Sequence, residues 1–154
     1  MSATHTATGP RITRAGTKPI APRKLFVNIP VTDLQRSIDF FELLGFTFNT
    51  QFTDETATCM LVGEDAYCML LTREKFAEFS RRPAPDSRKT TGALYAFAVS
   101  SRAEVDEVVR KAVAAGGSRA VDPQDHGFMY QCSFYDLDGH HWEVFWMDPA
   151  AVNG

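Results

Sequence analysis

From residue 23 onward the chain alternates between strand-like and helix-like hydrophobic patterns. A strand-like run at residues 25–31 is followed by Asp33, a typical helix N-cap, and apolar residues then recur at helical spacing up to Gly45. Three further strand-like runs cover residues 46–52, 56–62 and 67–72. This segment therefore predicts a unit of order β-α-β-β-β.

The second half repeats that order. A strand-like run covers residues 93–99, Ser101 predicts a helix N-cap, and the pair Gly116-Gly117 ends the helical pattern. Three strand-like runs follow, near residues 119–121, 128–135 and 141–147. We therefore predict an α+β fold of two βαβββ modules whose curved sheets enclose a cavity. The predicted boundaries are 23–73 for module one, 74–91 for a Pro-containing basic linker, and 92–149 for module two.

The two ends of the chain lack this periodicity. Residues 1–22 are rich in Thr, Ala, Pro and Gly and contain basic residues but no acidic one. Such a segment cannot bury a face, so we predict a disordered tail, and a second short tail at 150–154. A basic, acid-poor N-terminus is also typical of an organellar transit peptide, although a clear amphipathic Arg stripe is missing.

Composition narrows the class of protein. With 154 residues and 44% hydrophobic content, the chain can build one compact core. A net charge of −3 argues against a phosphate-backbone binder, and no apolar run approaches the roughly 20 residues of a membrane span. The three cysteines have neither disulfide-framework nor zinc spacing. We expect a cytoplasmic protein with reduced cysteines and no nucleic-acid or membrane partner.

Residues 134–147 carry the most informative pattern. The pair Asp138-Gly139 lies between two strand-like runs and predicts a hairpin turn. After the turn the residues alternate between a face containing Trp142 and Trp146, which has the bulk to pack against a helix, and a face containing His141 and Glu143. The pattern therefore predicts that Glu143 points into the cavity.

Two sets of residues resemble the vicinal oxygen chelate superfamily of glyoxalases, bleomycin-resistance proteins, fosfomycin-resistance enzymes and extradiol dioxygenases. They are Val31, Asp33, Leu34, Ser37, Phe40, Phe41, Leu44, Gly45 and Phe46, and then Asp136, Asp138, Gly139 and Glu143. The resemblance spans residues 24–149. A narrower similarity, to the bacterial branch labelled predicted lactoylglutathione lyase, rests on residues 124–130 together with His140, Trp142, Glu143 and 146–149.

The resemblance can be tested at the metal site. In metal-dependent members each module contributes a ligand from its first strand and one from its last. The matching positions here are Phe26, Leu70 (or Met69 after a shift of one residue), Leu94 and Glu143. Only Glu143 offers an oxygen ligand, and functional sites usually need three or more protein ligands. The resemblance thus implies the fold, while the residues predict neither a metal site nor another cofactor.

Alternation along the strands indicates what the cavity would contain instead. The first and fifth strands would direct Phe26, Asn28 and Leu94 inward, and the resemblance implies that Leu70 of the fourth strand joins them. Tyr130 or Gln131 would join from the seventh strand, whose inward face the pattern does not fix. This composition predicts a binding site for a small apolar or aromatic molecule.

Glu143 and His126 are the candidate catalytic residues. A carboxylate among apolar side chains suits proton transfer, although Glu143 could equally be a structural hydrogen bonder. His126 lies in the polar loop 122–127, where it could act as the acid/base partner of Glu143. It could also ligate a relocated metal with His140 or His141, or remain a surface group.

Three classes of function stay open, and the sequence does not decide whether the protein is an enzyme. The first is a protein that binds a small apolar or aromatic molecule. The second is a metal-independent isomerase or lyase that uses Glu143. The third is a metal-dependent lactoylglutathione lyase or dioxygenase with displaced ligands. The resemblance also implies a homodimer.

Overall fold

The chain folds into two modules that share the predicted order β-α-β-β-β, apart from one additional short strand in module two. The computed structural model describes residues 9–152. Module one contains β1 (Leu25–Val31), α1 (Leu34–Leu43), β2 (Thr47–Asn49), β3 (Ala57–Leu61), β4 (Ala66–Thr72) and α2 (Arg73–Phe79). Module two contains β5 (Leu94–Ala98), α3 (Arg102–Ala114), β6 (Ser118–Arg119), β7 (Gln124–Asp125), β8 (Met129–Tyr135), β9 (His141–Met147) and α4 (Pro149–Val152).

The predicted helix ends are confirmed by their capping contacts. The Asp33 carboxylate accepts a hydrogen bond from the Arg36 backbone N–H at 3.0 Å, and the Ser101 hydroxyl accepts one from Glu104 N–H at 3.1 Å. Both caps satisfy backbone donors that have no partner inside the helix. Gly45 follows the end of α1 with φ +99°, a conformation that glycine adopts without strain.

Several boundaries differ from the sequence prediction. β2 is shorter than residues 46–52, because the Asn49 side chain accepts from Gln51 N–H and starts a 3₁₀ turn. Helix α2 occupies the start of the predicted linker and packs on β1 and β4. The short strand β7 and helix α4 were not predicted. Residues 9–22 are exposed, whereas residues 1–8 and 153–154 of the predicted tails lie outside the described residues.

Each module forms one sheet in which its first and last strands are parallel neighbours. The strand order is β1-β4-β3-β2 in module one and β5-β9-β8-β6 in module two, with β7 paired to β8. Asn28 is opposite Met69 between β1 and β4, and Ala96 is opposite Glu143 between β5 and β9. The two modules therefore present equivalent strand pairs.

One face of both sheets is covered by α1 and α3, and a single core joins the modules there. The Phe41 ring of α1 meets Trp142 of β9 edge-on at 5.3 Å between centroids, and Phe40 lies 6.2 Å from Phe134. Such aromatic contacts stabilise beyond the area they bury. The packing face predicted for Trp142 is therefore confirmed.

The β8–β9 hairpin is organised by the buried Asp136 carboxylate. Its Oδ1 accepts backbone N–H groups of Asp138 and His140 at 2.9 and 3.0 Å, and its Oδ2 accepts Trp142 Nε1–H at 3.0 Å. Burial raises the pKa of Asp136, while the nearby His140 and these hydrogen bonds act in the opposite direction.

The same hairpin connects module two to module one. His140 Nε2 lies 2.7 Å from the Pro30 carbonyl oxygen, and the Asp138 carboxylate accepts the Thr32 backbone N–H at 2.9 Å. A carbonyl can only accept, so His140 Nε2 carries the hydrogen. The turn residue Gly139 has φ +85°, and an added Cβ would lie 2.7 Å from the Ser87 carbonyl oxygen. The linker therefore passes directly over the hairpin.

None of the helices within residues 9–152 is both long enough and apolar enough to cross a bilayer.

Candidate functional site

An aromatic pair lies on the open face of module one, opposite the helices. The Phe26 and Tyr67 rings stack with centroids 4.6 Å apart and planes 11° from parallel, and Phe26 is 48% exposed. Asn28 lies on the same face and donates from Nδ2 to the Phe26 carbonyl at 3.2 Å. Phe26 and Asn28 thus lie on the strand face that the sequence predicts. We call the Phe26–Tyr67 stack the aromatic platform.

The predicted position of Leu70 is wrong. Leu70 is fully buried in the helix-side core, in register with Ile29. The residue beside it on the open face is Met69, opposite Asn28, which is the one-residue shift that the sequence analysis left open. A shift of one residue in the strand register moves every side chain to the other face of the sheet. Sequence spacing alone does not fix this register.

Leu94 lies on the open face of module two. It is 56% exposed and is opposite His141 in the β5–β9 pair. Ala96, its neighbour on the same face, is opposite Glu143. The open faces of both modules therefore contain the apolar positions predicted on their first strands.

Of the two candidates on β8, Gln131 lies on the open-face side and Tyr130 does not. The Tyr130 hydroxyl donates to the Asp106 carboxylate of α3 at 2.6 Å, and this hydrogen bond raises the pKa of Tyr130 to about 12. Its ring also lies 5.5 Å from the Arg102 guanidinium. Tyr130 is thus tied to the helix side, outside the predicted cavity. Gln131 donates from Nε2 to Gln124 Oε1 at 2.9 Å.

Glu143 has a histidine neighbour, but it is His141 rather than the predicted His126. His141 Nε2 lies 3.5 Å from Glu143 Oε1, and in the described part of the chain this buried nitrogen has no hydrogen-bond partner. The Glu143 side chain is 28% exposed. A small displacement would turn this contact into a hydrogen bond, so the two side chains form a candidate acid/base pair.

His126 lies at the other end of strand β8. Its backbone N–H donates to the Met129 carbonyl at 2.8 Å, whereas the residue opposite Glu143 is Ser133. Met129 and Ser133 are four residues apart on β8, which corresponds to roughly 13 Å along the strand. The predicted pairing of His126 with Glu143 is therefore wrong. The strand alternation that placed His141 and Glu143 on one face was the available signal for the correct partner.

Two pockets flank the His141–Glu143 pair. A pocket of about 120 Å³, here called the seam pocket, lies between the modules and is lined by residues of β1, α2, the linker, β5 and the hairpin, including His141. A second pocket of about 150 Å³ lies under residues 121–124 and is lined by Gln131 and Glu143. Glu143 therefore borders a pocket made by module two alone, not the cavity between modules that the sequence predicted.

The residues at the family's ligand positions do not fit a divalent metal ion. Phe26 and Leu94 have no donor atom, Met69 offers only a soft thioether, and Glu143 is the one of these four positions with an oxygen ligand. Within residues 9–152, no group of three or more His, Cys, Asp or Glu side chains is placed to hold a metal.

Comparison with known proteins gives the family of this fold. The model of the glyoxalase/bleomycin resistance protein/dioxygenase superfamily matches residues 24–144. A hypothetical protein, SA1046 from S. aureus, is 26% identical with a TM-score of 0.69, covering 81% of this chain and 94% of that one. No curated protein sequence matches.

Two more distant structures share the fold alone. A glyoxalase/bleomycin resistance protein/dioxygenase family enzyme from Burkholderia phytofirmans PsJN is 19% identical with a TM-score of 0.65, covering 79% of this chain and 96% of that one. A lactoylglutathione lyase from Agrobacterium tumefaciens is 17% identical with a TM-score of 0.60, covering 84% and 96%. Because the family model covers most of the chain, this protein belongs to the glyoxalase/bleomycin resistance protein/dioxygenase superfamily.

Proposed function

We propose that this protein binds a small apolar or aromatic molecule on its open face, without a metal ion. The aromatic platform is the observation that carries this proposal, because Phe26 stacks on Tyr67 and stays half exposed at a position where metal-dependent relatives have a ligand. Large exposed aromatic side chains beside polar groups are typical of ligand sites.

The platform can supply useful binding energy. A flat ligand that covered the exposed half of Phe26 would remove roughly 100 Å² of apolar surface from water, worth about 2.5 kcal/mol at 25 cal/mol per Å². The stacked geometry adds to this, because Tyr67 already fixes the plane of the Phe26 ring.

Binding of the neutral naphthalene ketone prodan, followed by its fluorescence, tests the platform. Phe26→Ala removes the exposed ring and should weaken binding at least tenfold. Phe52→Ala is the matched control, because Phe52 is also exposed but lies beyond β2, at the far edge of the sheet. Mass spectrometry of extracts from the purified protein would identify a natural ligand.

Two results would contradict this proposal. One is that the wild-type protein does not bind prodan and releases no small molecule on extraction. The other is that Phe26→Ala and Phe52→Ala weaken binding equally, which would indicate non-specific adsorption to exposed rings.

A second candidate function, metal-independent proton transfer, is favoured by the His141–Glu143 contact of 3.5 Å. In this chemistry Glu143 would take a proton from the carbon next to a carbonyl and return it to a neighbouring atom, as an isomerase or lyase does. Deuterium exchange into hydroxyacetone, followed by NMR, would detect it. Glu143→Gln should lower the rate at least tenfold, with the exposed Glu55→Gln as control. Equal rates in both variants would exclude this role.

We also propose that the protein is a cytoplasmic homodimer. The three cysteines are free and buried, which suits a reducing compartment, and several large apolar side chains remain exposed, including Leu94, Phe79 and Phe128. Sedimentation equilibrium should give twice the chain mass. Deletion of residues 1–22 should leave this value unchanged, since the described part of that segment is exposed. A monomer in either experiment would refute the corresponding statement.

A further inference from the structure

The seam pocket between the modules is lined by residues without a carboxylate, ammonium or guanidinium group, and His140 and His141 are its two titratable imidazoles. Its lining includes the side chains of Asn28, Phe76, Thr90, Thr91, Tyr95 and His141. Pro30 and Pro85 complete apolar parts of the wall, and none of its lining residues is Asp, Glu, Lys or Arg. A cavity of about 150 Å³ can hold benzene, so a pocket of about 120 Å³ accepts at most one small ring.

This pocket lies beside the site proposed above, and Asn28 is the residue nearest to both. Asn28 lines it and lies two residues from Phe26 on the same face of β1, which is about 7 Å along the strand. One ligand could therefore place its apolar body on the platform and its other end in the seam pocket. This inference rests on the proposed binding function.

Neutral hydrogen-bonding atoms are available in the pocket. The hydrogen bond from Asn28 Nδ2 to the Phe26 carbonyl leaves Oδ1 as the acceptor of this amide. Thr90 uses its hydroxyl hydrogen in a long contact of 3.4 Å to the Asp86 carbonyl and keeps its lone pairs. Burial raises the pKa of the Tyr95 hydroxyl, with smaller contributions from Cys68 and Asp136, so Tyr95 stays neutral.

The charges nearest the pocket disfavour an anion. Asp136 is buried within the hairpin, and its carboxylate makes a small contribution to the raised pKa of the Tyr95 hydroxyl. Arg88 and Lys89 line a neighbouring pocket instead, where Arg88 donates to the Leu137 carbonyl at 3.4 Å and lies 3.9 Å from Asp138. A carboxylate in the seam pocket would lose water without meeting a Lys or Arg among the lining residues, which is costly.

From these groups we infer that the seam pocket is a specificity subsite that accepts the neutral, oxygen-bearing ring end of the ligand and rejects a carboxylate. A carbonyl, amide or hydroxyl oxygen on the ring would meet the Tyr95 hydroxyl and the Asn28 amide. The pocket thus determines the polar end of the ligand, while the platform holds its apolar body.

Benzamide and benzoate are the matched probes, because they have the same shape and differ in charge. NMR titration at pH 8 should show benzamide binding at least tenfold more tightly than benzoate. Tyr95→Phe removes one hydrogen bond and should weaken benzamide about fivefold to tenfold. Thr50→Val, on the exposed 3₁₀ turn, should change neither affinity.

A gain of function provides the second test. Thr91 is exposed at the rim of the pocket, so Thr91→Lys should fold normally and reverse the preference toward benzoate, whereas Thr50→Lys should not. The inference is wrong if wild-type protein binds benzoate as tightly as benzamide, if it binds neither, or if Thr91→Lys leaves the preference unchanged. Failure of these probes while prodan still binds through Phe26 would overturn the subsite alone. Failure of prodan would overturn the proposed function.

Discussion

The two faces of strand β9 differ in whether their buried polar groups are hydrogen-bonded. On the helix side Trp142 is 2% exposed, and its indole N–H is satisfied by Asp136. On the open side, the Nε2 atom of the adjacent His141 is also buried but has no hydrogen-bond partner in the described residues. Its nearest acidic group is Glu143, whose Oε1 lies 3.5 Å away. Because the two residues are neighbours in one strand, this difference shows where the fold is stabilised and where polar groups remain available for function.

The largest expected effect is on the helix side. Trp142→Ala should lower the free energy of unfolding by about 3–5 kcal/mol, because it leaves a cavity in the core shared by both modules. Phe26→Ala on the open side should cost about 1 kcal/mol or less, mainly the lost stacking on Tyr67. Urea unfolding of both variants measures the contrast. Similar losses for both would mean that the open face is also part of the core.

Most of the fold could be predicted because the spacing of apolar residues along the chain follows which side chains are buried. The strands 25–31 and 141–147 agree with the observed β1 and β9 at both ends, and the caps at Asp33 and Ser101 are confirmed. Prediction failed where a local side-chain contact replaced the pattern, as at Asn49, which ends β2 by starting a 3₁₀ turn. Strand β7 was missed because two residues are too few to show alternation.

The site was less predictable because it depends on distances between strands. Alternation placed Phe26 and Asn28 on the open face, yet it could not choose between Leu70 and Met69, since a shift of one residue exchanges the faces. The buried contact from His140 to the Pro30 carbonyl joins residues far apart in sequence, and no local pattern indicates it. Strand alternation therefore placed Glu143 on the correct face, whereas the histidine expected beside it was the wrong one.

The next effect concerns Asp136, which satisfies three N–H groups on the helix side. Asp136→Asn should lower the free energy of unfolding at pH 7 by about 1–3 kcal/mol, because its amide cannot accept from all three donors. Since burial raises the pKa of Asp136 above 3.8, the folded state favours its protonated form.

The raised pKa of Asp136 determines in which direction the free energy of unfolding changes with pH. The stabilisation linked to Asp136 is fully present below pH 3.8 and is lost as the pH rises through the raised pKa of the folded state. The advantage of wild type over Asp136→Asn should therefore increase as the pH falls from 7 toward 4. Chemical unfolding of both proteins across this range checks it. A decrease on acidification would show that the hydrogen bonds outweigh burial.

A smaller effect is expected at His140, which joins the modules. His140→Phe keeps the ring volume but leaves the Pro30 carbonyl without its donor, and should cost about 1–2 kcal/mol. Thermal unfolding gives the loss of stability. Hydrogen exchange should accelerate around Thr32 and Asp138, whose own hydrogen bond depends on the same contact between modules. An unchanged exchange pattern would mean that the hydrogen bond between Thr32 and Asp138 keeps the two modules in contact without His140.

The smallest effect is expected at the adjacent His141. His141→Phe removes a buried nitrogen that has no hydrogen-bond partner in the described residues, so the free energy of unfolding should change by less than about 0.5 kcal/mol or rise slightly. The same change removes the neighbour of Glu143 and should therefore alter the pH dependence of any proton transfer at that carboxylate. His141→Gln restores a hydrogen-bond donor beside Glu143 but no titrating group, so it should not recover the part of the pH profile that belongs to the imidazole. A loss of stability as large as that of His140→Phe would show that His141 is structural and that the two faces of β9 do not differ in function.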